Sequence, residues 1–187
     1  MRIVVSGAHY TGKSTLIEAL MNKLPDYEFF EEPYLLLEED GYEFTDPPTV
    51  EDYEEQLQFA LTLIHDSPKK SVFDRCPLDF LAYGLALTEL GEQDFDADSW
   101  LVPIGEAMES IDLIIFVSIE HPDVIRVPRS EDRDLRMSVD EKLREIVVDN
   151  SLGLLKKPVV LEVHGAVTTR VKDIMAYLQK REELVKA

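Results

Sequence analysis

The chain is predicted to be an α/β protein, a parallel sheet covered by helices on both faces. Three observations carry that expectation. Short apolar runs rich in β-branched residues recur along the chain, among them residues 2–6 (RIVVS) and 112–119 (DLIIFVSI). Each is continuously apolar instead of alternating, as in strands buried on both faces. Stretches with helical spacing separate the runs, the pattern of repeated strand–helix units.

The elements follow in order. Residues 2–6 form the first strand, bounded by Gly7. Leu16, Ile17, Leu20, Met21 and Leu24 recur at helical spacing over 13–24, until Pro25. A second strand fits 27–31, and Pro33 opens an irregular or helical segment. Residues 38–55 are densely acidic with Pro47-Pro48 inside, an exposed connection into a helix over 50–65. That helix places Tyr53, Leu57, Ala60, Leu61 and Ile64 on one face. A strand at 71–74 precedes a helix over 77–90 with Pro77 in its first turn. Residues 91–99 form a polar loop, 100–109 a helix, and 112–119, the most apolar run, a central strand. Residues 120–137 are charged and hold two prolines. A helix over 138–150, a last strand over 158–163 and an amphipathic helix over 167–184 complete the chain. No internal repeat or low-complexity linker divides it, so 1–187 is expected to be a single domain.

At 187 residues the chain is long enough to bury a core. Its 38 acidic against 19 basic side chains give a net charge of −19, which repels nucleic-acid phosphates. No apolar run approaches the ~18–20 residues of a membrane span. The opening residues lack a secretory h-region. Cys76, the one cysteine, admits no intrachain disulfide, so a cytoplasmic location is expected. The expected partners are small molecules, with no nucleic acid and no membrane; a homodimer stays open.

The residues 7–14, GAHYTGKS, match G-x-x-x-x-G-K-[ST] at every fixed position. Glycines let the backbone wrap a phosphate with its N–H groups inward, and the following helix adds its positive end. Lys13 is expected on the β- and γ-phosphates of ATP and the Ser14 hydroxyl on Mg²⁺. Gly7, Tyr10, Thr11, Gly12, Lys13, Ser14 and Thr15 are the expected nucleotide contacts. His9 and Tyr10 occupy variable positions, with no chemistry assigned to their side chains.

Other residues must name the reaction. The chain has no Asn-Lys-x-Asp guanine reader and no long apolar strand ending in Asp-Glu. Asp74-Arg75 instead follows the third strand. A carboxylate there organises Mg²⁺ or takes a proton from an acceptor hydroxyl, and an adjacent Arg grips the second substrate. The alternative makes Asp74 a helix cap and Arg75 its surface ion-pair partner. Arg126, Arg129, Arg133 and Arg136, at gaps of 3, 4 and 3, are expected along one helical face of a lid over 120–137. Their alternative is a solvated helix pairing with neighbouring acids. Glu31 and Glu32 end the second strand and are candidate substrate ligands or bases, with Gln56 and Gln58 on the acidic helix. The histidines lack metal-ligand spacing, and Cys76 has no partner for thiol catalysis.

The matching pieces are GAHYTGKST, Glu31-Glu32-Pro33, the Gln-containing helix, FDRCPLDFLAYG and RVPRSEDRDLRMSVDEKL. On these, over about residues 1–150, the sequence resembles P-loop small-molecule kinases. It is most similar to the AAA-type ATPase/kinase-like proteins related to nicotinamide riboside kinase, and more distantly to deoxynucleoside and thymidylate kinases. The resemblance implies a five-stranded parallel sheet of order 2-3-1-4-5 and a mobile Arg-rich lid over ATP. It implies Asp74 as the catalytic or Mg²⁺-organising carboxylate, Arg75 as a substrate contact, and Arg129 and Arg133 as lid arginines. The loop near 165–167 would border the adenine. Asp-Arg-Cys stands where deoxynucleoside kinases use Glu-Arg-Ser, and the Tyr-rich lid signature of thymidylate kinases is missing. The expected function is ATP-dependent phosphoryl transfer to a nucleoside- or nucleotide-like metabolite. The alternative is an ATP-binding regulatory switch or ATPase without a small-molecule acceptor.

Overall fold

The computed structural model describes residues 1–123 and 125–186. Five parallel strands form one sheet in the order β2-β3-β1-β4-β5. They are β1 (Arg2–Ser6), β2 (Glu28–Phe30), β3 (Ser71–Asp74), β4 (Leu113–Phe116) and β5 (Val159–Glu162). The helices are α1 (Lys13–Met21), α2 (Pro33–Glu39), α3 (Val50–Asp66), α4 (Pro77–Glu89), α5 (Asp98–Met108), α6 (Arg133–Leu143) and α7 (Val167–Lys186). A π-helical turn, Arg144–Val148, extends α6.

The continuous apolar strands are explained by a core on each side of the sheet. Ile3 and Val5 of β1, Val72 of β3 and Leu113 and Ile115 of β4 pack with α1 and α7. Their neighbours Val4, Phe73, Ile114 and Phe116 face the larger core built with α3 to α6. Successive side chains of a strand point to opposite faces, so both must be apolar. None of the helices among the described residues is long and apolar enough to cross a membrane.

Several boundaries differ from the sequence expectation. α1 stops at Met21, and a tighter turn through Lys23 and Leu24 follows, with Leu24 N bonding Met21 O at 3.1 Å. Pro33 starts a true helix, α2, as proline at a first turn does. Asp52, expected in an exposed acidic stretch, is buried and ties down the loop before it. It accepts hydrogen bonds from Thr45, Thr49 N at 2.8 Å and Tyr42 Oη at 3.2 Å.

The four arginines expected along a lid, Arg126, Arg129, Arg133 and Arg136, do not share one helical face. Asp132 accepts from Asp134 N and Leu135 N at 3.0 and 2.9 Å, so α6 begins at Arg133 instead of 138. Arg126 and Arg129 therefore lie in the non-helical chain before it, and only Arg133 and Arg136 are helical. These two diverge: Arg133 is exposed and Arg136 is buried.

β1 lies between β3 and β4, where the connections leave in opposite directions, and such a switch point forms a crevice at the strands' carboxyl ends. Val5 pairs in register with Asp74, and Arg75 N bonds Val5 O at 3.0 Å. The loops that follow β1 and β3 are thereby set side by side.

Candidate active site

Residues 7–12 turn from β1 into α1 as a tight loop. Gly7 has φ +153°, and a Cβ there would lie 2.3 Å from Val117 O, so only glycine fits. Gly12 has φ +88° at the N-terminus of α1. Tyr10 is also left-handed, at φ 52°, which costs a non-glycine residue roughly 1–2 kcal/mol. Tyr10, Thr11, Gly12, Lys13, Ser14 and Thr15 line a cleft of about 620 Å³. Gly7 lies beneath them, its N–H bonded to Asp79 Oδ1 at 3.1 Å.

Lys13 is buried and donates from Nζ to Ala8 O at 2.8 Å. Burial, with the nearby Arg75 charge, pushes its pKa down to about 8. The head group thus rests against the loop's own backbone, in a place where an anion would be a better partner. Lys13→Ala should weaken MgATP binding by about 10–100-fold, the value of a hydrogen bond to a charged group. Its melting temperature should hold, because a poorly solvated amine is removed. Calorimetry on the folded variant checks this, and unchanged affinity would refute the phosphate role.

Asp74 opens on the same cleft from the end of β3. Burial pushes its pKa up to about 6, against the opposing charges of Lys13 and Arg75. Its Oδ1 is buried without a hydrogen-bond partner. Asp74 does not cap α4. Cys76 holds that position, and Asp79 bonds Cys76 N at 2.9 Å in a capping box. The unpartnered oxygen and the exposed Ser14 hydroxyl line the same cleft. That pair of hard oxygen donors fits Mg²⁺.

Arg75 is not a surface residue. It is buried in a left-handed conformation at φ 73°. Nε bonds Glu32 Oε2 at 2.8 Å, Nη1 bonds Gly7 O at 3.1 Å, and Asp79 Oδ1 lies 3.7 Å away. Strain of this kind persists only where several contacts over-determine it. The guanidinium also sits over the Tyr83 ring, 5.5 Å from its centroid.

The two strand-end glutamates part ways. Glu32 meets Arg75, and Glu31 is exposed on a groove of about 480 Å³ beside α1 and β2. Burial alone would raise the Glu32 carboxyl, but Arg75, Lys13 and His9 outweigh it and hold the pKa below the usual value. A depressed carboxylate stabilises the fold above its unfolded pKa, and that contribution is lost as pH falls through the folded value. Glu32→Gln should therefore cost about 1–3 kcal/mol at pH 7. The gap to wild type should close toward pH 3–4 in a series of melts, and a pH-independent gap would show the ion pair to be irrelevant.

A smaller pocket of about 230 Å³ adjoins the cleft, sharing His9, Glu32 and Arg75 with it. Its walls are aromatic: Tyr34 stacks on Phe44 at 4.3 Å and Tyr53 on Tyr83 at 4.7 Å. Gln56 lines it, buried, with Nε2 donating to Asp52 O at 3.0 Å. Gln58 faces elsewhere and is exposed. The Tyr83 hydroxyl is buried without a partner.

Arg129 and Arg133 are exposed and do not line the cleft, which their segment of the chain reaches with Ile125 and Glu131. Glu131 Oε1 stands 3.4 Å from His9 Nδ1. The loop at Gly165 lies beside the phosphate loop through Arg170, which bonds both Gly165 O and Thr11 O. Sequence reasoning assigned no role to Asp79, Glu131, Tyr83, Glu120 or Arg170. Asp79 had a signal, its place three residues after Cys76 at a helix start; Arg170 had none, lying 159 positions from its partner.

Sheet order, phosphate loop and the Asp74-Arg75 turn together define a P-loop kinase fold. The chain belongs to the AAA-domain family, whose sequence profile matches residues 2–162. No curated protein matches the sequence. Among solved structures it is similar to deoxyadenosine kinase from M. mycoides with products dCMP and a flexible dCDP bound. The TM-score is 0.71 at 18% identity, covering 96% of this chain and 99% of that one. Thymidylate kinase from Candida albicans gives 0.65 at 16% identity, covering 97% and 92%. Shikimate kinase from Aquifex aeolicus gives 0.59 at 17%, covering 97% and 98%.

Proposed function

We propose that the protein transfers the γ-phosphoryl group of ATP to a small nucleoside- or nucleotide-like metabolite. The carrying observation is the second, aromatic pocket that meets the phosphate cleft at Glu32 and Arg75. A switch needs one nucleotide site; a kinase needs an acceptor site opening on the phosphates. The three kinase folds support this reading, since the enzymes they belong to act on small molecules.

The chain's own groups divide the work. The N–H groups of residues 10–15 and Lys13 hold the phosphates, so that positioning and charge neutralisation lower the barrier. Ser14 and Asp74 would hold Mg²⁺, which supplies charge neutralisation on the phosphates when bound. As the alternative role, Asp74 accepts the acceptor's proton from the same wall of the cleft. Arg75 and Glu32, locked to each other, orient the acceptor, and Gln56 offers an amide to its polar edge. Residues 120–137 act as a lid that carries Arg129 and Arg133 to the phosphates. Residues 1–187 work as one domain in a reducing cytoplasm, where Cys76 stays a thiol.

The test is a screen of nucleosides, nucleoside monophosphates and pyridine ribosides with MgATP, followed by ³¹P NMR. A phosphorylated acceptor formed together with ADP is the expected result. ADP and inorganic phosphate with every acceptor unchanged would favour the regulatory ATPase.

A further inference from the structure

Among the described residues the buried Lys and Arg side chains are Lys13, Arg75, Arg136 and Arg170. All four donate to the phosphate loop. Gly7 O accepts from Arg75 Nη1 at 3.1 Å and Ala8 O from Lys13 Nζ at 2.8 Å. His9 O accepts from Arg136 Nε at 2.8 Å, Tyr10 O from Arg136 Nη2 at 3.1 Å, and Thr11 O from Arg170 Nη1 at 3.0 Å. Five successive carbonyls, residues 7 to 11, are each met by a buried cation, in a chain with twice as many acidic as basic groups.

We infer that Arg136 and Arg170 are positioning residues of the phosphate site, a clamp on the carbonyl edge of the loop. A peptide unit is planar, so holding a C=O in one direction turns the next N–H the opposite way. Carbonyls free to swing inward would present negative ends to a polyphosphate. The guanidiniums hold them outward and leave the N–H groups for the anion. Arg136 bridges two adjacent carbonyls with its planar fork and so secures Tyr10 in its left-handed conformation.

The clamp also joins the loop to the lid. Arg136 Nη1 bonds Asp123 Oδ2 at 2.8 Å, and Arg170 Nη2 bonds Glu120 Oε1 at 2.9 Å. Both carboxylates lie where the lid segment begins, and Arg136 lies near its end. A displacement of the lid is thus felt at His9, Tyr10 and Thr11 through these two guanidiniums. Lys13 is the exception among the four. It sits on the helix that follows the loop, and its flexible stem can leave Ala8 O for an anion.

The inference deepens the proposed function, since the clamp matters to catalysis only if the loop holds a polyphosphate. Its test is chosen to separate the two. Arg136→Lys and Arg170→Lys keep the charge and lose the fork. Amide ¹⁵N relaxation of the unliganded protein reads the loop directly, and calorimetry with MgADP reads binding. In wild type, order parameters at residues 8–11 should be near about 0.85; in each variant they should fall toward about 0.6 while β4 stays rigid. MgADP affinity should fall roughly tenfold, the equivalent of a lost hydrogen bond to a charged group. If Arg136→Lys fails to fold, Asp123→Asn loosens the same guanidinium and should move the same two readouts. A loop that stays rigid with unchanged MgADP affinity in these variants would overturn the clamp, whatever their melting temperatures. A wild-type protein that ignores MgADP would instead sink the nucleotide reading, with the relaxation data still deciding the clamp.

Discussion

Asp74→Asn should lower phosphoryl transfer by ~10²–10⁴-fold, the size of lost acid–base help, in a protein that folds and still binds nucleotide. Asn keeps the shape of the side chain but carries no charge and is a very poor base. The variant should also be at least as stable as wild type at pH 7–8. Asp74 is 8% exposed, and burial pushes its carboxyl pKa up to about 6. The folded state therefore binds the Asp74 proton more tightly than the unfolded chain does, and this group's contribution to stability falls as pH rises from about 4 to 6. Asn has no proton to lose and escapes that penalty. Melts at pH 4 and pH 8, with turnover at saturating MgATP, check both halves. Near-normal transfer by a stable Asn variant would end the catalytic role of Asp74 and move the base to Glu32 or Glu31.

Arg129→Ala and Arg133→Ala should each reduce turnover by roughly 10³-fold or more, if either guanidinium reaches the transferring phosphoryl group on closure. Their effect on stability should stay within about 0.5 kcal/mol, as for exposed residues without special contacts. Both side chains are exposed, and neither makes an ion pair with a described residue. Arg136 is the contrast, with its guanidinium consumed by Asp123 and the loop carbonyls. Turnover and thermal melts on the single variants decide the matter. A melting temperature that falls while turnover holds would make Arg129 and Arg133 structural.

Much of the fold was legible because the signals are local. The strands at β1, β3 and β4 declare themselves as continuous apolar runs, since each residue faces one core or the other. The phosphate loop is legible because glycines at 7 and 12 answer to backbone geometry and close approach, constraints that act within a few residues. Pro77 marks the start of α4 for the same reason. Where local cues conflict, the sequence misleads. The helix holding Arg133 and Arg136 begins five residues before the expected 138, because surrounding charge and prolines mask the Asp132 cap.

The sequence by itself thus determined the α/β class and the phosphate loop, and it singled out Asp74-Arg75 and the glutamate pair as chemistry-bearing. Tertiary structure alone decided between neighbours of identical type. It turned Glu32 toward Arg75 and left Glu31 outside, and it buried Gln56 beside the aromatic pocket while exposing Gln58. It chose Arg136 over Arg129 and Arg133 for the loop, and it brought Arg170 across 159 positions to Thr11 O. Periodicity and spacing record which face of its own element a side chain takes. Which cation meets which carbonyl depends on where separate elements come to rest on the sheet, and that is set by packing over the whole molecule.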